Sequence, residues 1–155
     1  MNMQTMLTRF TYSLPSSAPL PLVAIDPGGE VVFNVGRDPV VMRARILALK
    51  DEMLALPGAV TEFEVEHFVC DGMYTRKLRI PKGQVLVGKI HLKACVNIVA
   101  SGDISIMTES GSLRVQAGYV QTSPAGIMKV GYAHEDTVFI NVFRTDETDI
   151  EKIEA

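Results

Sequence analysis

The sequence predicts an all-β protein, an antiparallel sandwich or barrel preceded by one helix. From about residue 60 onward, apolar and polar residues alternate with a period of two, as they do in strands with one buried face. Short runs of this kind recur at regular spacing and are separated by Gly, Ser, Asp or Pro, with no helical pattern between them. These two observations together define the predicted fold class.

Length and composition describe one ordinary domain. The 155 residues include 47% hydrophobic and 21% charged side chains, and the net charge is −3. This acidic balance argues against nucleic acid as a partner, and the apolar runs are too short for a membrane span or a secretory signal. Because paired cysteines are uncommon without a secretory signal, we interpret Cys70 and Cys95 as free thiols. We therefore expect a protein that is cytoplasmic when synthesised.

Residues 1–58 are expected to form an arm, a hairpin and a helix. A Pro/Ser cluster in residues 1–22 cannot lie inside a sheet, so this segment is interpreted as an extended arm. Valine-rich runs on both sides of Asp26-Pro27-Gly28-Gly29 predict a hairpin. Asp38-Pro39 is a helix start and Pro57-Gly58 is a stop. The apolar stripe between them is expected to pack on the barrel or on a second copy of the chain.

The barrel is expected over residues 59–146 and is followed by an acidic tail at 147–155, which should form at most a turn or two of helix. Its predicted strands are 60–69, 73–80, 84–92, 94–99, 103–108, 112–117, 119–122, 126–130 and 136–144.

The segment around residue 95 has one polar and one apolar face. The polar parity consists of His91, Lys93, Cys95, Asn97 and Val99. If this polar face points into the barrel, the apolar face around Ile98 points outward. It must then be covered by the N-terminal elements or by another subunit, because an exposed apolar stripe favours aggregation. If the polar face points outward, His91 and the lysines are solvated. We favour the inward arrangement, with a homo-oligomer as its consequence.

Glycines and polar residues in the middle of the chain have a specific spacing. Gly83 is followed by five residues and Lys89, then by His91 after one residue, Cys95 after three more and Gly102 after a further six. This segment is the first of two motifs.

The second motif begins fifteen residues after the first one ends. Gly118 is followed by five residues and Pro124, and then by Gly126 and Lys129. The two spacings resemble those of the cupin superfamily, G(x)5HxH(x)3-4E(x)6G and G(x)5PxG(x)2H(x)3N. The resemblance implies a cupin-like jelly-roll barrel.

The resemblance also implies a metal site, but the residues at its positions have changed. Cupins use two His, one Glu and a last His, and here Lys89, His91, Cys95 and Lys129 stand at those positions. Ammonium groups cannot coordinate a metal, and one His with one Cys is too few ligands. We therefore predict no metal and no other cofactor. Lys89 and Lys129 could instead bind an anion at the barrel mouth.

His91 is the strongest candidate for a ligand or pocket residue. Its expected neighbours across the barrel mouth are Asn97, Tyr74, Lys89, Lys129, Tyr132 and His134. The alternative is that His91 is a structural residue, as a lone histidine in a barrel commonly is. No nucleophile elbow, phosphate loop or zinc-protease motif occurs in the sequence, so nothing in it predicts catalysis.

Residues 66–154 carry a further resemblance. The segments HFVCDGMYTRKLRIPKGQVLVGKIH, NIVASGDISIMTESG and GYAHEDTVFINVF look like those of small cupin-like proteins encoded by tailed bacteriophages and prophages. This implies a non-catalytic structural or assembly protein of the virion, a cement, decoration or tail component that contacts other virion proteins. The alternatives are a metal- or small-molecule-binding cupin, either an isomerase- or dioxygenase-like enzyme or a sugar-binding module, and fold alone does not choose between them.

Overall fold

The computed structural model describes residues 21–60 and 63–155. The arm predicted for residues 1–22 therefore lies outside the described residues, except for Pro21 and Leu22. The strands are β1 Val23–Ile25, β2 Val31–Phe33, β3 Glu64–Cys70, β4 Met73–Ile80, β5 Val85–Val87, β6 Cys95–Ser101, β7 Asp103–Thr108, β8 Gly111–Gln116, β9 Val120–Ser123, β10 Val130–Ala133 and β11 Thr137–Arg144. The helices are α1 Pro39–Leu54 and α2 Ile150–Glu154.

The strands form a hairpin and two larger antiparallel sheets. The hairpin pairs β1 with β2, one sheet has the order β5-β10-β7-β8, and the other has the order β3-β4-β11-β6-β9. The two larger sheets face each other across an apolar core, as in a jelly roll. The core side chains include Leu78, Ile80, Val99, Ile104, Val115 and Phe139.

The hairpin and α1 cover the outer face of the four-stranded sheet. Asp38 caps α1 by accepting hydrogen bonds from the amides of Val40 and Val41, as the sequence predicts. The buried stripe of α1 then packs against β5, β7 and β10, in a second core that includes Met42, Ile46, Leu49, Val85, Met107 and Val130. Of the two packing partners expected for α1, the barrel is confirmed. This second core fixes the position of the four-stranded sheet, which forms one wall of the barrel.

Three predicted strands are wrong over part of their length, and the first of them, predicted over 60–69, is observed as Glu64–Cys70. The strand predicted over 84–92 ends at Val87, and the one predicted over 126–130 begins only at Val130. Beyond the Val87–Val130 pair the two segments are joined by separate hydrogen bonds and not by a regular ladder: the Gly88 amide donates to the Lys129 carbonyl oxygen at 2.9 Å, and the Gly126 amide donates to that of His91 at 2.7 Å. Residues 88–94 consequently form a loop at one end of the barrel.

The inward arrangement of the polar parity is confirmed in β6. Cys95, Asn97 and Val99 are buried, whereas Val96 and Ile98 face outward and are partly exposed. Lys93 does not follow this pattern, since it lies exposed on the loop before the strand. Among the described residues, no helix is long and apolar enough to cross a membrane.

Candidate functional site

One end of the barrel opens into a cleft of about 380 Å³. Strands β4 and β11, the loop 88–94 and the C-terminal segment line this cleft. A smaller cavity of about 60 Å³ lies deeper between the two sheets. Arg76, Lys89 and His91 line both spaces, and Lys129 and Asn141 line the inner one. We call the two spaces together the barrel mouth.

Asn97 organises the polar groups inside the barrel. Its side chain is 3% exposed, and its amide nitrogen donates to Oγ of Ser123 at 2.8 Å and to the carbonyl oxygen of Gln121 at 3.2 Å. These two bonds to β9 fix which way the amide points. Its Oδ1 atom then accepts hydrogen bonds from Nδ2 of Asn141 and Nζ of Lys129, both at 2.8 Å. The lysine is thereby held in one orientation before any ligand arrives.

Lys129 is a partly buried cation without a carboxylate partner among the described residues. Its Nζ atom contacts Oδ1 of Asn97 at 2.8 Å and Sγ of Cys95 at 4.0 Å. Burial lowers the pKa of Lys129, and the Cys95 thiol only partly opposes this effect. A buried ammonium group that lacks a counter-charge costs free energy, which a bound anion would offset.

His91 and Cys95 lie next to this lysine. Nδ1 of His91 is 3.5 Å from Sγ of Cys95, and the imidazole ring meets the edge of the Phe143 ring with 4.9 Å between centroids. Burial lowers the pKa of His91 to about 4, helped by the positive charges of Lys129 and Arg76. Burial also raises the pKa of Cys95. At neutral pH both groups are therefore uncharged, and the positive charge in the barrel resides on Arg76 and the lysines.

The acidic tail folds over the barrel mouth. Asp149 caps α2 by accepting from the amide of Glu151, and the helix carries Glu154 into the cleft. The hydroxyl of Tyr74 donates to the Glu154 carboxylate, and Nζ of Lys89 donates to the Glu154 carbonyl oxygen at 2.6 Å. Oε2 of Glu154 lies 3.6 Å from Nε of Arg76. Burial raises the pKa of Tyr74, and so does the hydrogen bond to Glu154.

The cleft is basic although the protein as a whole is acidic. Its lining contains five basic side chains and two acidic ones, namely Arg76, Lys89, Lys93, Arg144, Lys152, Glu147 and Glu154. Oε1 of Glu147 accepts hydrogen bonds from the amides of Thr148 and Asp149, both at 2.9 Å, so this carboxylate is engaged by its own segment. Glu154 is thus the carboxylate that the cleft itself holds.

The barrel mouth does not fit the divalent metal of cupins. Within the described ranges, no group of three or more His, Cys, Asp or Glu side chains is placed to hold a metal ion. His91 and Cys95 are neighbours, but the positions of two further ligands are held by Lys89 and Lys129, whose ammonium groups cannot coordinate. That the protein binds no metal remains a prediction.

The structure brings five of the seven predicted site residues together. His91, Tyr74 and Lys89 line the cleft, while Asn97 and Lys129 lie deeper in the barrel. The other two, Tyr132 and His134, do not reach the barrel mouth.

Tyr132 and His134 lie instead on the covered side of the four-stranded sheet. Tyr132 packs on the core beneath α1, and the His134 ring meets its edge at 4.9 Å. Nε2 of His134 is 2.7 Å from Oγ of Ser105, which lies opposite Tyr132 in the β7–β10 register. Successive side chains of a strand point to opposite faces, and Gly131 and Ala133 face the inner core. The rings of Tyr132 and His134 therefore lie on the other face, away from the barrel interior.

Several residues of the site were not selected from the sequence, among them Arg76, Asn141 and Glu154. Arg76 lies in β4 between the buried Tyr74 and Leu78, so its side chain points into the barrel. An arginine at an inward-facing position of a predicted strand indicates a polar site and could have been selected from the sequence. Glu154 gave no such signal, because the pattern of the tail does not specify where a short helix docks.

Comparison with known proteins agrees with the fold. No protein-family model matches the sequence, and no curated protein is similar to it. KdgF from Halomonas sp. has a similar structure with a TM-score of 0.50 and 18% identity, covering 59% of this chain and 87% of that one. A cupin-2 domain containing protein from Shewanella frigidimarina has a TM-score of 0.46 and 15% identity, covering 66% of this chain and 98% of that one.

A third structure of the same kind is an RmlC-like cupin family protein with a double-stranded β-helix fold from Methanocaldococcus jannaschii. Its TM-score is 0.47 at 12% identity, and the match covers 64% of this chain and 93% of that one. The fold of this chain is a cupin-like jelly-roll barrel, with α1 and the hairpin packed on one of its sheets. At 18% identity, the likeness to KdgF concerns the fold and not the activity.

Proposed function

We propose that this protein binds a small anionic molecule in its barrel mouth, as a binding module built on the cupin fold. The observation that carries the proposal is Lys129, an ammonium group held by Asn97 inside the barrel without a carboxylate partner in the described part of the chain. A cation held in a fixed orientation and partly removed from water attracts an anion more strongly than a solvated one does.

Three further features support this function. The cleft volume of about 380 Å³ lies in the range of small-molecule sites. Arg76 contributes a planar guanidinium group, which suits carboxylate or phosphate oxygens. The network of Asn97, Asn141 and Ser123 orients the polar groups in advance, which lowers the entropic cost of binding.

The test is titration calorimetry at low salt, in which the wild-type protein and Lys129→Met are each titrated with glutarate and with inorganic phosphate. A hydrogen bond to a charged group contributes about 1.5–3 kcal/mol, so Lys129→Met should bind the better of the two probes at least about tenfold more weakly.

Lys93→Met is the matched control because Lys93 lines the outer cleft but is exposed on the loop. It removes the same charge and should change the affinity by less than about twofold, since exposed charges are screened by water and salt. Equal effects of the two substitutions, or no binding of either probe, would overturn the proposed function.

A structural role in assembly is a second candidate, and the outer face of the five-stranded sheet favours it. This face carries partly or fully exposed apolar side chains on all five strands, including Phe68, Met73, Val96, Ile98, Val120, Val138, Ile140 and Val142. Val120 is 59% exposed and Phe68 is 51% exposed. The apolar side chains are concentrated on β6, β9 and β11, since β3 and β4 also carry the ion-paired Glu64, Glu66, Lys77 and Arg79 on this face. Exposed apolar surface of this kind is typical of association sites. Association with virions rests on the resemblance to phage proteins, and co-purification with phage particles would test it.

If this face mediates a homo-oligomer, Ile98→Asp should abolish the assembly. Light scattering at micromolar concentration is then expected to give a dimer or larger for the wild-type chain and a monomer for the variant, because a charge cannot be buried unpaired in an apolar interface. Leu92→Asp is the control, since Leu92 is 89% exposed on the loop and lies off this face. A monomeric wild-type protein would remove the assembly candidate.

A further inference from the structure

Helix α2 lies over the barrel mouth but is weakly held. It comprises five residues, and none of its own side chains is buried. A helix this short has little stability of its own, so its position depends on the contacts it makes with the barrel. Among the described residues, the hydrogen bonds and the ion pair that join it to the barrel all involve Glu154, whose carboxylate meets Tyr74 and Arg76 and whose carbonyl oxygen meets Lys89.

The Glu154 carboxylate is an incomplete partner for Arg76. Nε of Arg76 is buried and has no hydrogen-bond partner among the described residues. The nearest carboxylate oxygen, Oε2 of Glu154, is 3.6 Å away, which is too long for a hydrogen bond. A guanidinium group forms its strongest pairs when two N–H groups donate in parallel to one carboxylate. A carboxylate that is not tethered to a helix can adopt this geometry.

Resting on the proposed function, we propose that the ligand is a small carboxylic acid whose carboxylate replaces that of Glu154 on Tyr74 and Arg76. A second acceptor group of the ligand then extends inward toward Nζ of Lys129. The tail and the ligand compete for the same groups, so α2 leaves the barrel mouth when the acid binds. The C-terminal segment is thus an internal competitor that sets the affinity of the site.

The competition has a measurable consequence. When a site is free for only a fraction of the time, the apparent dissociation constant rises by the inverse of that fraction. If the tail occupies the barrel mouth about nine-tenths of the time, removing its carboxylate should tighten binding about tenfold. The same binding event should release the amides of Ile153 and Ala155, which donate to carbonyl oxygens of Asp149 and Glu151 in α2.

The experiment uses the full-length chain with Glu154→Gln and, as its matched control, Glu151→Gln. Glu151 lies in the same helix and is exposed, so its substitution removes one negative charge without touching the barrel mouth. Each protein is titrated with glutarate by calorimetry, and hydrogen exchange of the α2 amides is followed by NMR. We expect Glu154→Gln to bind about tenfold more tightly than the wild type, Glu151→Gln to bind like the wild type, and glutarate to abolish α2 protection in the wild type.

The possible failures are distinguishable. If glutarate binds all three proteins equally and α2 stays protected, the replacement of Glu154 is wrong, while an anion site that depends on Lys129 still stands. If phosphate binds in a Lys129-dependent way and glutarate does not bind, the ligand class is wrong and the proposed function survives. If neither probe binds Glu154→Gln, the proposed function fails together with this inference.

Discussion

Gly102→Ala is expected to cost at least about 3 kcal/mol of folding free energy, a large share of the about 5–15 kcal/mol that stabilises a typical domain. Gly102 has a φ of +92°, in the left-handed region that residues with a Cβ rarely adopt. A Cβ there would lie 2.5 Å from the carbonyl oxygen of Asp136 and 2.7 Å from Cα of Thr137. Because these are backbone atoms at the start of β11, they cannot move aside without disturbing the five-stranded sheet.

Gly118→Ala separates the close contact from the backbone strain. Gly118 has a φ of +90°, but a Cβ there would meet nothing within 4 Å in the described part of the chain. This variant should lose only about 1 kcal/mol, the cost of the conformation alone. Urea denaturation of both variants measures the difference, with soluble yield as the readout if Gly102→Ala does not fold. Similar losses of folding free energy in the two variants would mean that a Cβ at position 102 does not meet the backbone of Asp136 and Thr137 as the structure shows.

Acid is expected to destabilise the protein through His91, by at most about 3 kcal/mol between pH 6.5 and pH 4. The pKa of His91 is about 4 in the folded protein and 6.5 for a free histidine. Above pH 6.5 both states carry a neutral imidazole, so this group adds no pH dependence. Below it the unfolded chain takes up a proton that the folded chain does not, and stability falls until the pH reaches about 4.

His91→Gln should remove the His91 part of this slope and leave a smaller part from His134, whose pKa is also lowered by burial. The measurement is the free energy of unfolding of both proteins at pH 7.5, 6.5, 5.5 and 4.5, obtained from urea denaturation. At pH 7.5 the two should differ only by the packing of the side chain against Phe143. An unchanged slope in His91→Gln would mean that the imidazole is not removed from water as the structure places it.

The sequence predicted the elements whose chemistry is local. Asp38-Pro39 starts α1 because an aspartate cap and a first-turn proline act within a few residues. The turn at Asp26 forms because its own Oδ1 accepts from the amides of Gly28 and Glu30. The strand Asp103–Thr108 was predicted at its observed bounds, since glycine and alternation mark both of its ends.

What the sequence could not supply depends on contacts between distant segments. The loop 88–94 has the alternation of a strand, but its regular pairing with the neighbouring segment ends at Val87 and Val130, which the sequence does not indicate. Tyr132 and His134 were expected beside His91 at the barrel mouth, but the predicted strand 126–130 stopped short of them, so the sequence did not show which face of the sheet they occupy. Glu154 is 80 residues from Tyr74 in sequence, so no local pattern connects the two.

The same contrast explains why the fold was easier to predict than the site. The cupin-like spacing places glycines at positions such as 102, where the backbone requires them whatever the barrel binds. The residues at the positions that hold metal ligands in cupins are not fixed by the backbone, and here two of them are lysines. Lys129 acts together with Asn97, Asn141 and Arg76, and these four residues come from four different segments of the chain. Such a cluster becomes visible only when the sheets are assembled.

The crystal structure of Glu154→Gln with glutarate, at a concentration that saturates it in solution, tests the central claim most directly. One carboxylate should lie within hydrogen-bond distance of the Tyr74 hydroxyl and the Arg76 guanidinium, with the other end of the molecule directed toward Nζ of Lys129 and α2 away from the cleft. A barrel mouth without glutarate, still covered by α2, would contradict the account.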